Sequence, residues 1–265
     1  MASGRRRVGV TRIEERFALL KREGRLALVP FLTAGFPDLE ATLELVPALQ
    51  EAGADLVELG VPFSDPLADG PTIQRATFTA LRQGVTLRHC LETCTRLRER
   101  GVRIPLILMG YLNPLLKYGL ERAVRHAAEA GADGFIVADL PAEEAGPFRE
   151  ACDGYGLALI PLLAPTSTEG RIARTCQGAS GFIYCISLTG VTGAREVLPP
   201  GVVDLVKRVR RQTDLPIAVG FGISRREHLE ALAPHAEAAV VGSALLGTLF
   251  QAPRQGVVET ARAFM

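Results

Sequence analysis

Glu51-Ala52-Gly53-Ala54-Asp55-Leu56-Val57-Glu58-Leu59-Gly60 holds one joint of the fold in ten residues. It reads as a helix end, a glycine suited to the left-handed turn that stops a helix, and a short apolar run. The run does not alternate, which fits a strand covered on both faces in a parallel sheet. The joint returns 78 positions later as Glu129-Ala130-Gly131-Ala132-Asp133, leading into a second run at Gly134–Ala138. Working outward, similar runs stand at Leu26–Leu32, Leu56–Leu59, Pro105–Met109, Ala158–Leu162, Gly181–Cys185, Pro216–Gly220 and Ala238–Gly242. Their starts are spaced by about 30 residues, the size of one βα unit. Amphipathic stretches such as Ala41–Gln50 and Leu120–Ala128 lie between them. Eight such units predict an α/β fold, a (β/α)8 TIM barrel, filling residues 1–265 as one domain. A doubly wound open sheet is the alternative from the element count.

Two connections are long. About 45 residues separate the second and third runs, and a second long loop spans Ile186 to about Gly201. In a barrel both loops leave the C-terminal ends of strands, where active sites are assembled. Arg12–Arg22 reads as an extra N-terminal helix able to plug the opposite end, preceded by a flexible basic start over residues 1–11.

Composition narrows the function. The 265 residues carry 30 Lys+Arg and 29 Asp+Glu, a formal net charge of +1, which argues against a nucleic-acid partner. Lys21, Lys117 and Lys207 are the only lysines, so candidates for a Schiff base are few. Five scattered cysteines (Cys90, Cys94, Cys152, Cys176, Cys185) fit reduced thiols better than a disulfide framework. Cys90 and Cys94 beside His89 lack a further ligand pair, so no metal site is expected. No apolar run reaches the roughly 18–20 residues of a membrane span. Arg5-Arg6-Arg7 is followed by residues too polar for a signal peptide, and a cytoplasmic location is expected.

Three features could carry chemistry. Glu58 is a carboxyl group set in an apolar strand, where burial raises the pKa and suits it to give and take a proton. The stretch Val61-Pro62-Phe63-Ser64-Asp65-Pro66-Leu67-Ala68-Asp69-Gly70-Pro71-Thr72 is rich in turn formers. It could equally fold over the barrel mouth and bring Asp69 towards Glu58. Glycine clusters follow the last three strands, at Gly190–Gly193, Gly220–Ser224 and Gly242–Ala244. Glycine lets backbone N–H groups approach a phosphate closely, and barrels place such sites after their seventh and eighth strands.

The segment Leu56–Gln74 closely resembles the signature of the tryptophan synthase α chain family. The resemblance extends over Val29–Gly35, Met109–Pro114, Asp139–Pro141, Gly190–Gly193, Gly220–Ser224 and Val241–Ala244, from about Phe17 to the end. It implies a lyase that cleaves indole-3-glycerol phosphate to indole and glyceraldehyde 3-phosphate. By the same resemblance Glu58 is the general acid/base, Asp69 accepts the indole N–H, and Tyr184 lines the site near Glu58. Phe31, Tyr111 and Leu162 would form apolar walls for the indole. Gly193, Gly222, Gly242 and Ser243 would hold the phosphate, and Thr192 would close onto Asp69. Leu188 stands where some members carry a charge. The family's pyridoxal phosphate belongs to a β chain, so no cofactor or metal is expected here, and the implied assembly is an α2β2 heterotetramer. Loops around Pro62, Asp65 and Asn113 would face that partner. A stand-alone indole-releasing lyase, or another phosphate-binding barrel isomerase or synthase, are the alternatives, together with an activating subunit of little turnover.

Overall fold

In a computed structural model of the chain, residues 8–186, 200–220 and 222–265 are described. The apolar runs become strands: β1 (Ala27–Thr33), β2 (Val57–Gly60), β3 (Leu106–Gly110), β4 (Gly134–Val137), β5 (Ala158–Leu159), β6 (Leu162–Leu163), β7 (Ile183–Ile186), β8 (Ile217–Gly220) and β9 (Ala238–Val241). Each described pairing is parallel, and the neighbour order is β5-β4-β3-β2-β1-β9-β8-β7-β6. The first strand therefore lies beside the last, with Ala27 opposite Ala238, as a closed barrel requires and a doubly wound sheet does not.

The expected fifth strand is split in two. Ile160 donates its N–H to Phe135 on the β4 side, while Pro161 offers its carbonyl to Tyr184 on the β7 side. Proline has no N–H to continue the first ladder, so the chain passes from one neighbour to the other at this point. Counting β5 and β6 as one bent strand, the architecture is the predicted (β/α)8 barrel.

The helices are α1 (Val8–Glu23), α2 (Leu39–Glu51), α3 (Pro71–Arg82), α4 (Leu87–Glu99), α5 (Leu112–Tyr118), α6 (Leu120–Glu129), α7 (Gly146–Tyr155), α8 (Glu169–Gln177), α9 (Pro200–Arg210), α10 (Arg226–Leu232), α11 (Ser243–Leu249) and α12 (Val257–Phe264). Helix α1 begins inside the stretch 1–11 that the sequence assigned to a flexible start, and it is fully formed from Val8. The connection after β2, expected as one long loop, is a loop over 61–70 followed by α3 and α4. Ile73, Ala76, Thr77 and Ala80 form the buried stripe of α3, and Pro71 takes the first helical position, where its missing N–H costs nothing. The repeated joints behave as read: Gly53 and Gly131 sit at φ 106° and 83°, values L-residues rarely adopt, just past α2 and α6.

Alternation along the strands separates two apolar layers. Phe31, Phe182, Tyr184, Ala218, Ala238 and Val240 share one cluster. Ile183, Cys185, Ile217, Val219, Ala239 and Val241 pack instead against Ile172 of α8 and Val202, Leu205, Val206 and Val209 of α9. The first set fills the barrel and the second faces its helical coat.

The N-terminal end of the barrel is closed by α1 and by ion pairs. Asp55, just before β2, accepts from Arg16, from both terminal nitrogens of Arg25 and from Leu28 N–H at 2.8 Å. Asp133, just before β4, accepts from Arg12, from Arg98 at 2.6 Å and from Leu106 N–H at 2.7 Å. Both acids are the final residue of the repeated joint, and each ties its own strand to the preceding one. Glu237 does the same before β9, accepting from Arg210 and from Ile217 N–H. Ile13 and Phe17 of α1 are buried beneath them, Phe17 against Phe182.

Candidate active site

Glu58 lies in the middle of β2, registered between Phe31 of β1 and Ile107 of β3. It is fully buried, and neither carboxylate oxygen has a hydrogen-bond partner. A charge there would lose its water without compensation, so burial pushes the pKa up to about 8. At neutral pH this carboxyl group is mostly protonated.

Asp69 closes the loop after β2. Burial raises its pKa to about 6, opposed by a hydrogen bond from the Tyr111 hydroxyl. That hydroxyl also accepts Ala68 N–H at 3.0 Å, and the ring stacks on Phe63 with centroids 5.3 Å apart. Tyr111 thus tethers the loop, where the sequence reading expected of it only a wall for the indole. Asp139 fixes the neighbouring element by accepting Leu112 N–H at 2.8 Å, which seats the start of α5. At neutral pH Asp69 is mostly ionised while Glu58 is not. Two carboxyl groups in one mouth are thereby held in opposite protonation states by their surroundings.

Tyr184 lies on the barrel side of β7, registered with Leu162 and Ala218. It is buried, and its phenol is pushed well above its ordinary pKa by burial and by the charges of Glu58 and Asp69. The group is therefore a neutral hydroxyl near both acids. A Cβ on Gly220 would stand 1.9 Å from the Tyr184 oxygen, so the end of β8 must be glycine for this tyrosine to fit. Phe31 is accommodated similarly, against Gly60 on one side and Gly242 on the other. Leu162 is half-buried beside Tyr184 and completes that wall.

A small cavity opens beside Asp69, lined by Phe31, Gly60, Val61, Asp69, Thr77, Met109, Gly110, Tyr111 and Ala138; Glu58, Tyr184 and Leu162 are not among its lining residues. Across the mouth, Gly222 follows β8 at φ 87°, and Gly242–Ser243 begin α11 directly after β9. These adjacent strand ends carry the candidate anion contacts. Thr192 and Gly193 lie outside the described residues. Among the described residues no three His, Cys, Asp or Glu side chains are placed to share a metal ion, and all five cysteines are free and buried.

Sequence reasoning missed Thr33. It ends β1 two residues beyond Phe31, on the same face, with its hydroxyl buried and without a partner. Strand alternation from Phe31 would have found it. Met109 and Ala138 were likewise passed over as plain core, although both line the cavity.

The family model of the tryptophan synthase alpha chain matches residues 17–264. The tryptophan synthase alpha chain of Roseiflexus sp. (strain RS-1) is 54% identical over 256 residues, covering 97% of this chain and 98% of that protein. Among solved structures, a tryptophan synthase from Mycobacterium tuberculosis superposes with a TM-score of 0.87 at 38% identity, covering 96% and 97% of the two chains. A tryptophan synthase complex from Pyrococcus furiosus gives 0.83 at 36% identity, covering 90% and 96%.

Proposed function

The chain belongs to the tryptophan synthase alpha chain family, and from that premise we propose how its mouth residues divide the work of the reaction. The reaction is the lyase step of tryptophan biosynthesis, in which indole-3-glycerol phosphate is split to indole and glyceraldehyde 3-phosphate. It requires a proton on the indole carbon that carries the side chain and removal of the proton from the adjacent hydroxyl. The carbon–carbon bond then breaks, its electron pair returning to the ring as the hydroxyl carbon becomes an aldehyde.

Glu58 delivers the first proton and, as a carboxylate, takes up the second, so it ends as it began. The observation that carries this role is its carboxyl group, buried without a partner and protonated at neutral pH. Asp69, ionised, accepts the indole N–H and stabilises the positive charge that spreads to that nitrogen when the ring is protonated. Tyr184 offers a neutral hydroxyl beside both. Phe31, Tyr111 and Leu162 sandwich the indole. Gly222, Gly242 and Ser243, joined by Gly193, hold the phosphate through backbone N–H groups, and Thr192 closes over Asp69. Holding the phosphate orients the reacting end with binding energy drawn from a remote part of the substrate.

One barrel domain carries the whole reaction, and no cofactor enters it. The chain partners a tryptophan synthase β chain, which we take to hold the pyridoxal phosphate, in an α2β2 assembly. Three exposed apolar side chains support a docking face around the mouth: Leu67 in the loop after β2, Phe78 on α3 and Leu116 on α5. Asp65 and Asn113 are exposed on the same elements, whereas Pro62 is buried and serves the loop's own packing. No helix among the described residues is long and apolar enough to cross a membrane. We take the enzyme to act in the cytoplasm.

The test is a turnover assay on indole-3-glycerol phosphate, with and without a β chain. Indole and glyceraldehyde 3-phosphate are expected in equal amounts, faster in the complex. Equal rates in both conditions would favour the stand-alone lyase, and no indole in either would overturn the reading.

A further inference from the structure

Two histidines make the same unusual bond in different places. At the start of α4, Nδ1 of His89 accepts the backbone N–H of Thr86 at 3.1 Å. At the start of α10, Nδ1 of His228 accepts the backbone N–H of Ser224 at 3.3 Å. Both are the third residue of their helix, but His89 reaches back three residues to the N–H of the cap residue Thr86, whereas His228 reaches back four, to Ser224, one residue before the cap residue Arg225. At α4 the bond supplements Thr86, whose own side chain completes a reciprocal cap. At α10 the cap residue Arg225 makes no side-chain cap, and the imidazole of His228 bonds instead to the turn that precedes the helix. His89 works on the surface, whereas His228 is 3% exposed.

The buried histidine also sits at a more consequential turn. Ser224 lies two residues after Gly222, in the turn that leaves β8 at the mouth. Ile223, between them, is sunk into the outer apolar layer. With Ile223 buried and Ser224 tied to His228, the chain's path past Gly222 is fixed from its C-terminal side. Backbone N–H groups grip an anion only when the turn that carries them is already shaped for it.

We propose that His228 is a positioning residue for substrate phosphate: through Ser224 N–H it holds the β8–α10 turn in its anion-gripping shape without touching the anion. This rests on reading Gly222, Gly242 and Ser243 as the phosphate contacts. The bond needs an acceptor, which asparagine supplies at the same reach along the side chain and leucine does not.

The experiment measures KM and kcat for indole-3-glycerol phosphate, together with inhibition by inorganic phosphate, in the full chain and four variants. His228→Leu is expected to raise both KM and the phosphate inhibition constant by about tenfold, the scale of one organising hydrogen bond, while kcat stays within about twofold. His228→Asn should restore both constants to near the parent values. His89→Leu removes an imidazole-to-N–H bond at another helix start, away from the phosphate contacts, and should lower the melting temperature without moving either constant. Ser243→Asp places a carboxylate among the proposed contacts and should abolish phosphate inhibition. If Ser243→Asp does so but His228→Leu leaves the inhibition constant unchanged, His228 only anchors the start of its helix and the inference falls while the site stands. If Ser243→Asp leaves phosphate inhibition intact, the phosphate reading itself is overturned. Should the leucine variant fold poorly, His228→Gln, whose acceptor lies one bond further out, is scored by the same criteria.

Discussion

Asp55, just before β2, and Glu58, within it, stand three residues apart, and their surroundings could hardly differ more. Both are fully buried. Asp55 is met by two arginines and a backbone N–H, while neither carboxylate oxygen of Glu58 has a hydrogen-bond partner. The same division runs across the whole barrel. At its N-terminal end Asp55, Asp133 and Glu237 are each saturated by arginine and by the N–H of a neighbouring strand. At its mouth Glu58 is unpaired, and Asp69 has a tyrosine hydroxyl in place of a cation. The paired acids hold strands together. The unpaired Glu58 keeps its proton at neutral pH, at a cost in stability that the paired end can bear.

The comparison is sharpened first by Glu58→Gln. Cleavage should fall by about 10²–10⁴-fold, the usual worth of a positioned acid/base, with the fold intact. Indole release in the parent and the variant, with circular dichroism as the control, checks it; a loss of less than tenfold would end the division of roles.

Asp133→Ala attacks the other end. Removing one partner of a buried ion pair costs about 3–5 kcal/mol, because Arg98 is left only 17% exposed without its counter-charge. Denaturant unfolding should report that loss, while kcat at a temperature where the variant is folded stays near the parent value. A large fall in kcat with little loss of stability would reverse the comparison.

The third prediction concerns pH. Folding moves the Glu58 pKa from 4.5 to about 8, so between those values the native state holds a proton that the unfolded chain has released. Its contribution to stability therefore declines as pH rises through this window. Above pH 8, relative to pH 4, the penalty is on the order of 5 kcal/mol. Glu58→Gln should consequently gain on the parent with rising pH, measured as the difference in unfolding free energy at pH 4.5, 6.5 and 8.5. A constant difference would mean that Glu58 is ionised in the folded protein.

Asp69→Asn should have the smallest effect, a loss in kcat of about 10- to 100-fold, since an amide can still face the indole nitrogen but cannot balance its charge. Phosphate inhibition should be unchanged, because the two ends of the substrate are held by different strands.

Much of this arrangement was legible in the sequence, because it depends on local pattern. Apolar runs about 30 residues apart, helix-stopping glycines and a carboxyl group inside an apolar strand all announce themselves within a few residues. Whatever depends on distant partners did not. The acids that end the repeated joints looked like ordinary helix-to-strand punctuation, since their arginines lie as far away as Arg12 does from Asp133. The crossing at Pro161 was hidden because an apolar run does not say which neighbour each half will pair with. Tyr111 read as a wall because its polar end matters only once the loop at Ala68 and Asp69 has folded back onto it.

The seal at the base of the barrel also orders events in time. Helix α1 is the first described element to leave the ribosome, yet its Arg16 waits 39 residues for Asp55 and its Arg12 waits 121 for Asp133. Strand β1 waits longer still, since its partner β9 begins at Ala238. Contacts of such separation are costly to close early, which makes folding slow and cooperative. The first described helix is thus among the last elements to dock.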